Sequence, residues 1–296
     1  MNTITVPAHA KINLTLDVGA RRADGYHAIR SVMQTVGLHD TLTVTRTPHQ
    51  PGVRLEVTGD EAASVPTDGS NLVHRAAGRM HQEAVERGAI SSSESGLHIR
   101  LEKRVPSQAG LGGGSSDAAA ALRAVNALFG LNLSSSRMAA LATELGADVP
   151  FFLTGGTALV EGLGERVTSL PPLKPAWELV IVKPSVGVST AWAYAALDAL
   201  PGRVPGQATA AWLKGGQQVA NDFEQVARDV PEIAAARMFL HDAPEREPGT
   251  PPLLCGSGSA LFCRCRNRVA AERLAERARE ANIGKVWVAQ TVGGES

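Results

Sequence analysis

The feature that most constrains this chain is a glycine-rich stretch, VPSQAGLGGGSSDAAAA, at residues 105–121. Gly110, Gly112, Gly113 and Gly114 fall within five consecutive positions, directly before alanines that favour a helix. Glycine lowers the stability of regular structure by about 0.5–1 kcal/mol relative to alanine, so such a cluster indicates that the backbone itself has a function here. The preceding LHIRLEKRVP alternates as a strand does, so the segment predicts a strand, a glycine turn and a helix in succession.

A glycine turn that opens a helix is suited to binding an anion. The first N–H groups of a helix have no partner inside it, and the helix dipole adds partial positive charge there. Glycines also let a phosphate approach the backbone without meeting a Cβ atom. We expect the helix to run from about Ser116 to Phe129 and to end at Gly130, with Ser115 and Ser116 as caps that also offer hydroxyls to phosphate or Mg²⁺. Such a turn could hold a triphosphate.

Two familiar nucleotide motifs do not explain the glycines. The P-loop pattern is absent because no lysine follows them, and the dinucleotide pattern G-x-G-x-x-G fails because Ser115 stands where the third glycine belongs. A tight strand-to-helix turn without a ligand remains an alternative at this point.

The overall composition gives an anionic ligand no long-range attraction. The chain has 296 residues, 44% of them hydrophobic, with 29 Lys and Arg against 29 Asp and Glu. A balanced charge argues against nucleic acid or an anionic membrane as partner, so any anion must be held locally. No apolar run approaches the roughly 18 residues of a membrane span and no signal-like segment opens the sequence, which predicts a cytoplasmic protein.

The three cysteines are few and clustered. Cys255, Cys263 and Cys265 make a poor disulfide framework, and the spacing of Cys263 and Cys265 places them on one face of a strand. Zinc binding is disfavoured because no second cysteine pair or histidine pair of ligand spacing lies nearby. We expect buried thiols.

The N-terminal region reads as β structure. From Lys11 to Val18 polar and apolar residues alternate, which is typical of a half-buried strand whose polar face carries Lys11, Asn13, Thr15 and Asp17. A solvated sheet face is the ordinary interpretation of this pattern. A turn at Asp24–Gly25 and further strands in HDTLTVTRT and VRLEVTG follow.

The rest of the chain alternates helices, strands and loops. Helices are predicted over 71–87 and from the Ser134–Ser136 caps to Leu145, ending at Gly146. Pro150 predicts an extended conformation for the loop that carries Asp148. Further predictions are a strand at ELVIVKP, an irregular region over 202–218 and an exposed loop over 241–252. Length and a Pro-rich connector predict two domains, a nucleotide-binding domain over 1–165 and a substrate-binding domain over 166–296.

Three stretches together resemble the motifs of a kinase superfamily that includes galactokinase, homoserine kinase, mevalonate kinase and phosphomevalonate kinase. They are PAHAKINL at 7–14, PSQAGLGGGSSDAAA at 106–120 and LCGSGSALF at 254–262. Their order and spacing match, and the resemblance covers essentially the whole chain. It implies an α+β fold of two domains with the active site in the interdomain cleft. One departure is His9, where the first motif usually has proline.

Shorter stretches narrow the resemblance to the family whose acceptor is a cytidine-diphosphate-linked polyol of the non-mevalonate isoprenoid route. They are ADGYH at 23–27, GADVPFF at 146–152, GVST at 187–190 and NDFE at 221–224. The resemblance implies ATP as phosphate donor, Mg²⁺ arriving with it, and phosphorylation of the acceptor's 2-hydroxyl. It also implies Asp148 as the catalytic base and Lys11 as its charge partner, since an ammonium favours the ionised carboxylate and stabilises a developing alkoxide.

The same resemblance implies two sets of binding residues. The nucleotide set is Asn71, Lys103, Pro106, Gly110, Leu111, Gly112, Gly113, Gly114, Ser115 and Ser116. The acceptor set is Asn13, Tyr26, His27, Thr190, Tyr194, Gly256, Ser257 and Gly258. Within it, Tyr26 and Tyr194 would sandwich the cytosine ring and His27 would hydrogen-bond its edge; aromatic stacking contributes about 1–3 kcal/mol per base. Asn71 as a plain helix cap, Lys103 as an exposed strand residue and the tyrosines as core residues remain alternatives.

Two other functions remain open. One is a different small-alcohol kinase of the superfamily, such as homoserine or mevalonate kinase, although those acceptors carry no base to stack on the tyrosines. The other is a catalytically silent nucleotide-binding protein on the same fold, which the presence of both Lys11 and Asp148 disfavours.

Overall fold

The computed structural model describes residues 2–91 and 95–294 and has an α+β architecture. The strands are β1 (Thr3–Arg21), β2 (His27–Pro48), β3 (Gly52–Thr58), β4 (Ser95–Glu102), β5 (Thr157–Gly162), β6 (Arg166–Ser169), β7 (Glu178–Lys183), β8 (Ala220–Asn221), β9 (Leu253–Leu254), β10 (Leu261–Cys265) and β11 (Lys285–Gln290). The helices are α1 (Leu72–Glu86), α2 (Gly113–Leu128), α3 (Ser135–Leu145), α4 (Val149–Thr154), α5 (Thr190–Asp198), α6 (Ala208–Leu213), α7 (Glu224–Ala227), α8 (Pro231–His241) and α9 (Arg268–Glu280).

The chain forms two compact units that are interleaved along the sequence. The first unit contains Met1–Ala10, His39–Ser107 and Gly112–Thr154, and the second contains Lys11–Leu38, Gln108–Leu111 and Gly155–Ser296. The predicted boundary at 165/166 stays a prediction.

In the first unit a sheet in the order β3-β4-β2-β1 packs with helices α1 to α4. The second half of β2 pairs antiparallel with β4 (Thr41↔Glu102), and β4 pairs parallel with β3. Helix α1 begins at its cap Asn71 and buries Val73, Met80 and the small residues between them, so one apolar stripe faces the neighbouring helices. The alanine-rich α2 allows close packing of α1 and α4 against it.

The second unit holds two further sheet regions. The first half of β2 pairs antiparallel with β5, and β1 pairs in parallel with β8 at Thr15↔Ala220. A four-stranded antiparallel sheet in the order β11-β7-β10-β9 is covered by α8 and α9. Its core contains Val180, Val182, Leu261 and other fully buried side chains.

Most of the elements expected from the sequence are confirmed. The N-terminal strands, the turn at Asp24–Gly25, the helices over 71–87 and 134–145 and the strand ELVIVKP are all present. Cys255, Cys263 and Cys265 are buried free thiols, and the last two lie on β10. Among the described residues no helix has both the length and the apolar character needed to cross a membrane.

The solvated face expected for β1 is wrong. Lys11, Asn13, Thr15 and Asp17 do share one face, but Lys11 is only 3% exposed and the others are also buried. Within the second unit the first residues of α6 contact this face, because the Asp17 carboxylate accepts the N–H groups of Ala208 and Thr209. That contact also explains why a short helix, α6, forms inside a region predicted to be irregular.

Two further corrections concern the residues at which helices begin. Helix α2 begins at Gly113 rather than near Ser116, because Gly112 adopts a left-handed conformation (φ 71°) and serves as its N-cap. The extended loop predicted around Asp148 is also wrong, since Pro150 lies in the first turn of α4. Proline is favoured in a first turn because its missing N–H would have no helical partner there.

Candidate active site

The residue that caps the start of α2 is Gly112, which has no side chain. The serine caps expected at 115 and 116 are not formed, because both serines lie inside the helix. Gly114 is exposed, and a Cβ atom placed on it would approach no atom closer than 3.9 Å, from Leu72. The first amides of α2 and the open surface over Gly114 are therefore suited to a phosphate.

The other glycines of the stretch have structural reasons of their own. In the second unit, a Cβ on Gly110 would lie 1.7 Å from the carbonyl oxygen of Cys255, so only glycine fits there. In the first unit, a Cβ on Gly113 would lie 3.0 Å from Val105 and 3.3 Å from the Lys103 ammonium. Gly112 needs its left-handed backbone, which leaves Gly114 without a local steric reason to be glycine.

The two serines differ in what they can offer a ligand. The Ser116 hydroxyl is buried and donates to the carbonyl oxygen of His9 at 2.6 Å, so its proton is already used. Ser115 is half-buried at the start of the helix. Ser115 is therefore better placed than Ser116 to donate to a phosphate.

The side chains of Asn71 and Lys103 both have polar partners within the first unit. The Asn71 side chain caps α1 by accepting the N–H of Val73 at 2.8 Å, and its amide donates to Pro66. Lys103 is buried rather than exposed, and its ammonium contacts the carboxylates of Asp40 and Asp117. Pro106, buried, follows this segment, and contact of any of these residues with adenosine stays a prediction.

The two residues predicted to do the chemistry belong to different units. Asp148, half-buried, directly precedes α4 in the first unit, and Lys11 lies on β1 in the second. Their pairing therefore stays a prediction.

Within the second unit, Lys11 is at the centre of a buried polar cluster. Its ammonium donates to Oδ1 of Asn13 at 2.7 Å, and its backbone N–H donates to the carbonyl of Leu111 at 3.0 Å. The same Oδ1 of Asn13 accepts the N–H of Gly256 at 3.1 Å, while the Asn13 amide donates to Ser31. The first and third motifs thus meet at the Asn13 side chain, and the backbone of Lys11 also binds Leu111 of the second motif.

The central part of the third motif, from Cys255 to Ser259, is a tight loop. Gly256 and Gly258 have left-handed φ angles of 51° and 98°, and Asn221 donates to the carbonyls of residues 254 and 256. Ser257 shares a hydrogen bond of 3.2 Å with Thr190, the first residue of α5. This contact joins the Lys11 cluster to the helix that carries Tyr194.

Of the residues predicted to bind the base, His27 and Tyr194 contact each other. The His27 ring stacks on Tyr194, with ring centroids 4.9 Å apart and an interplanar angle of 26°. Tyr194 also meets Phe223 edge-on and packs against the core of its unit, whereas Tyr26 is 65% exposed. An exposed Tyr26 is available to a ligand, and the sandwich of a base between Tyr26 and Tyr194 stays a prediction.

Three supporting side chains were missed from the sequence. Asp198, one helical turn after Tyr194, contacts Nε2 of His27 at 2.8 Å, and Asp40 and Asp117 hold Lys103. Asp117 lies inside the second motif and Asp198 lies at the i+4 position from Tyr194, so spacing could have suggested both. Nothing near Asp40 in the sequence indicates its partner 63 residues away.

Comparison with known proteins places these features in a family. Residues 71–156 match the family described as GHMP kinases N terminal domain. The chain is 42% identical over 293 residues to a 4-diphosphocytidyl-2-C-methyl-D-erythritol kinase of Moorella thermoacetica, covering 95% of this chain and 96% of that protein. A kinase of the same name from Geobacter sulfurreducens is 37% identical, with 99% of each chain covered.

Solved structures agree with this similarity. A crystal structure of 4-(cytidine 5'-diphospho)-2C-methyl-D-erythritol kinase is 33% identical, with a TM-score of 0.78 over 98% of this chain and 100% of that one. A homoserine kinase from Cytophaga hutchinsonii is 21% identical, with a TM-score of 0.72 over 100% and 96% of the two chains, and shares the fold. The α+β, two-domain kinase fold expected from the sequence is confirmed.

Proposed function

This chain belongs to the 4-diphosphocytidyl-2-C-methyl-D-erythritol kinase family and is an ATP-dependent small-molecule kinase, and we propose that it phosphorylates the 2-hydroxyl of 4-diphosphocytidyl-2-C-methyl-D-erythritol. The observation that carries the proposal is the buried cluster of Lys11, Asn13 and Gly256. Burying an ammonium costs free energy unless it is hydrogen-bonded, so a lysine that is only 3% exposed and held by Asn13 where two motifs meet supports a functional role for this side chain.

In the proposed reaction, ATP binds with its phosphates at the start of α2. The free amides of the first turn and the Ser115 hydroxyl donate to the phosphate oxygens, and the open surface over Gly114 lets them approach. This local arrangement suits a chain with no net charge. Mg²⁺ enters with ATP, because this cation is commonly held by phosphate oxygens, water and one or two protein oxygens.

Asp148 acts as the base that accepts the proton of the attacking hydroxyl. Lys11 lies opposite that hydroxyl in the proposed complex, where its ammonium favours the ionised form of Asp148 and stabilises the developing alkoxide. Phosphoryl transfer depends mainly on positioning and charge, so the hydrogen bond from Lys11 to Asn13 serves to fix the ammonium before the acceptor binds.

The cytidine end of the acceptor binds at the second unit's aromatic residues. Tyr26 and Tyr194 stack on the cytosine ring, and His27 hydrogen-bonds its edge. Asn13, Thr190 and the loop Gly256–Gly258 contact the polar groups of the acceptor. The continuous contacts from Lys11 through Ser257 and Thr190 to α5 support one binding surface within this unit.

The direct test is detection of phosphorylated product by mass spectrometry after incubation with ATP, Mg²⁺ and the cytidyl acceptor. Homoserine and mevalonate serve as control acceptors, and product from either of them in preference to the cytidyl acceptor would refute the assignment. Binding of ATP without turnover of ATP or of any acceptor would support a catalytically silent nucleotide-binding protein instead.

The roles of the two catalytic residues are tested separately. Asp148→Asn and Lys11→Met should each lose most of kcat while they keep their affinity for ATP, and Glu144→Gln, in α3 close to Asp148 in sequence, should leave kcat unchanged. Near-wild-type turnover in either catalytic variant would overturn that residue's role.

A further inference from the structure

The first unit contains a buried ion triad formed by Asp40, Lys103 and Asp117. The Lys103 ammonium donates to Oδ2 of Asp117 at 2.7 Å and to Oδ2 of Asp40, and all three side chains are almost completely buried. Oδ1 of Asp40 accepts the backbone N–H groups of Arg104 and Val105, the latter at 2.8 Å. One lysine thus links a residue of β2, its own segment after β4 and helix α2.

The triad lies directly beneath the first turn of α2. Asp117 follows Gly113 by four residues, so both lie on the same side of the helix. The Lys103 ammonium is also within 3.3 Å of the point that a Cβ of Gly113 would occupy. On another side of the same turn, the Ser116 hydroxyl is bonded to the His9 carbonyl. The buried side chains of Ser116 and Asp117 therefore hold the start of α2 in place.

The charges of the triad compensate one another. Burial raises the pKa of Asp117 well above its ordinary value, the Lys103 ammonium opposes that change and the Asp40 carboxylate adds to it. Among the described residues, none donates a hydrogen bond to Oδ1 of Asp117, which also makes its ionised form costly. Burial alone lowers the pKa of Lys103, but the two carboxylates outweigh it and the net pKa is raised. A charged lysine held between two carboxyl groups adds no positive field for a ligand.

We propose that the buried ion triad is a brace that holds the first turn of α2 in the conformation that binds phosphate, so that Lys103 is a positioning residue and not a contact of the adenosine. The proposal rests on the proposed ATP site. Its physical basis is that amides bind an anion well only when their directions are fixed beforehand. Loosening the brace should weaken the binding of phosphates and leave the binding of the nucleoside unchanged.

The test compares dissociation constants for ATP, ADP and adenosine, measured by ligand-observed NMR on the full chain with Mg²⁺. Asp117→Ala removes the link to the helix and leaves Lys103 paired with Asp40. We expect it to weaken ATP and ADP binding about tenfold and to change adenosine binding by less than about twofold. Asp117→Asn keeps an oxygen for the ammonium and should recover most of the ATP affinity. If the alanine variant does not fold, Lys103→Met provides the measurement of the selective loss, because it removes the ammonium that joins the two carboxylates.

A matched control is Glu83→Gln, which disrupts another ion cluster of the same unit, formed by a buried carboxylate and partly exposed arginines. Glu83 pairs with Arg87 and Arg137, so the variant should lose stability and keep the ratio of ATP to adenosine affinity. Lys103→Met should reproduce the selective loss seen for Asp117→Ala.

Three results would overturn the proposal. They are an equal loss of ATP and adenosine in Asp117→Ala, no loss of either, or a loss of adenosine binding in Lys103→Met alone. A wild-type chain that binds no ATP would instead remove the proposed function and this proposal together.

Discussion

Adding one methyl group to Gly114 separates the stability of the glycine turn from its function. The Gly114→Ala side chain would meet no atom closer than 3.9 Å, and the residue lies in the first turn of α2 without a positive φ. Alanine is better than glycine in a helix by up to about 1 kcal/mol, so the variant should be more stable by a few tenths to about 1 kcal/mol. For a chain of this size that is a rise in Tm of roughly 1–4 °C.

The same methyl group should weaken ATP binding. It would occupy the surface over which the phosphates are proposed to lie, and displacing them from the first amides of α2 should raise the Kd for ATP at least about tenfold, equivalent to ~1.4 kcal/mol. Thermal unfolding by calorimetry and ATP titration on the same samples measure both effects.

Gly78→Ala is the matched control for this experiment. Gly78 lies inside α1, and a Cβ atom placed on it would have no described atom outside its own helix backbone within 4 Å, so alanine should stabilise the chain similarly and leave the Kd for ATP unchanged. A Gly114→Ala variant that binds ATP as tightly as Gly78→Ala would show that phosphates do not lie over α2, and the reasoning would fail.

Three further predictions use other residues. Gly110→Ala should abolish soluble expression or lower Tm steeply, because its Cβ would overlap the Cys255 carbonyl at 1.7 Å in a left-handed backbone; a folded variant with wild-type Tm would contradict this. The Arg137 hydrogen bonds lower the pKa of Glu83 to about 2 from 4.5, so its contribution of about 1–3 kcal/mol should be complete above pH 4.5 and fade as the pH falls toward 2. Urea unfolding of wild type and Glu83→Gln across pH should show the difference shrinking below pH 4.5, and a difference that grows there would refute it. Asp198→Ala should raise KM for the cytidyl acceptor more than KM for ATP, because Asp198 orients His27 at 2.8 Å; steady-state kinetics with each substrate varied would disprove this if both KM values rose equally.

The sequence predicted the elements whose signals are local. The alternation in β1, the cap Asn71 of α1 and the Ser134 to Gly146 limits of α3 all depend on adjacent residues, and the structure agrees with them. The glycine stretch also indicated a helix start suited to an anion, although the helix begins at Gly113 and no serine caps it.

The features that were missed depend on residues far apart in the chain. Helix α6 forms in a Gly- and Gln-rich region because Asp17 accepts its first N–H groups from 191 residues away. The same contact covers the Asp17 end of a strand face that alternation alone assigns to solvent. The alternative of an exposed Lys103 is wrong because its partners, Asp40 and Asp117, belong to other elements. The hydrophobic period and the composition of a segment carry no information about partners that lie far away in the chain.

The hydrogen bonds of Asn13 restrict what this side chain can present to a bound molecule. Its carbonyl oxygen already accepts hydrogen bonds from Lys11 and Gly256, and one of its two amide N–H groups donates a hydrogen bond to Ser31. Within the part of the chain that the structure describes, rotating the amide by 180° would break all three hydrogen bonds. The Asn13 side chain therefore keeps this orientation and has one N–H group left to donate a hydrogen bond. Asn13 can therefore distinguish the two ends of a hydroxyl group: it donates to an oxygen lone pair and offers no free acceptor to an incoming proton.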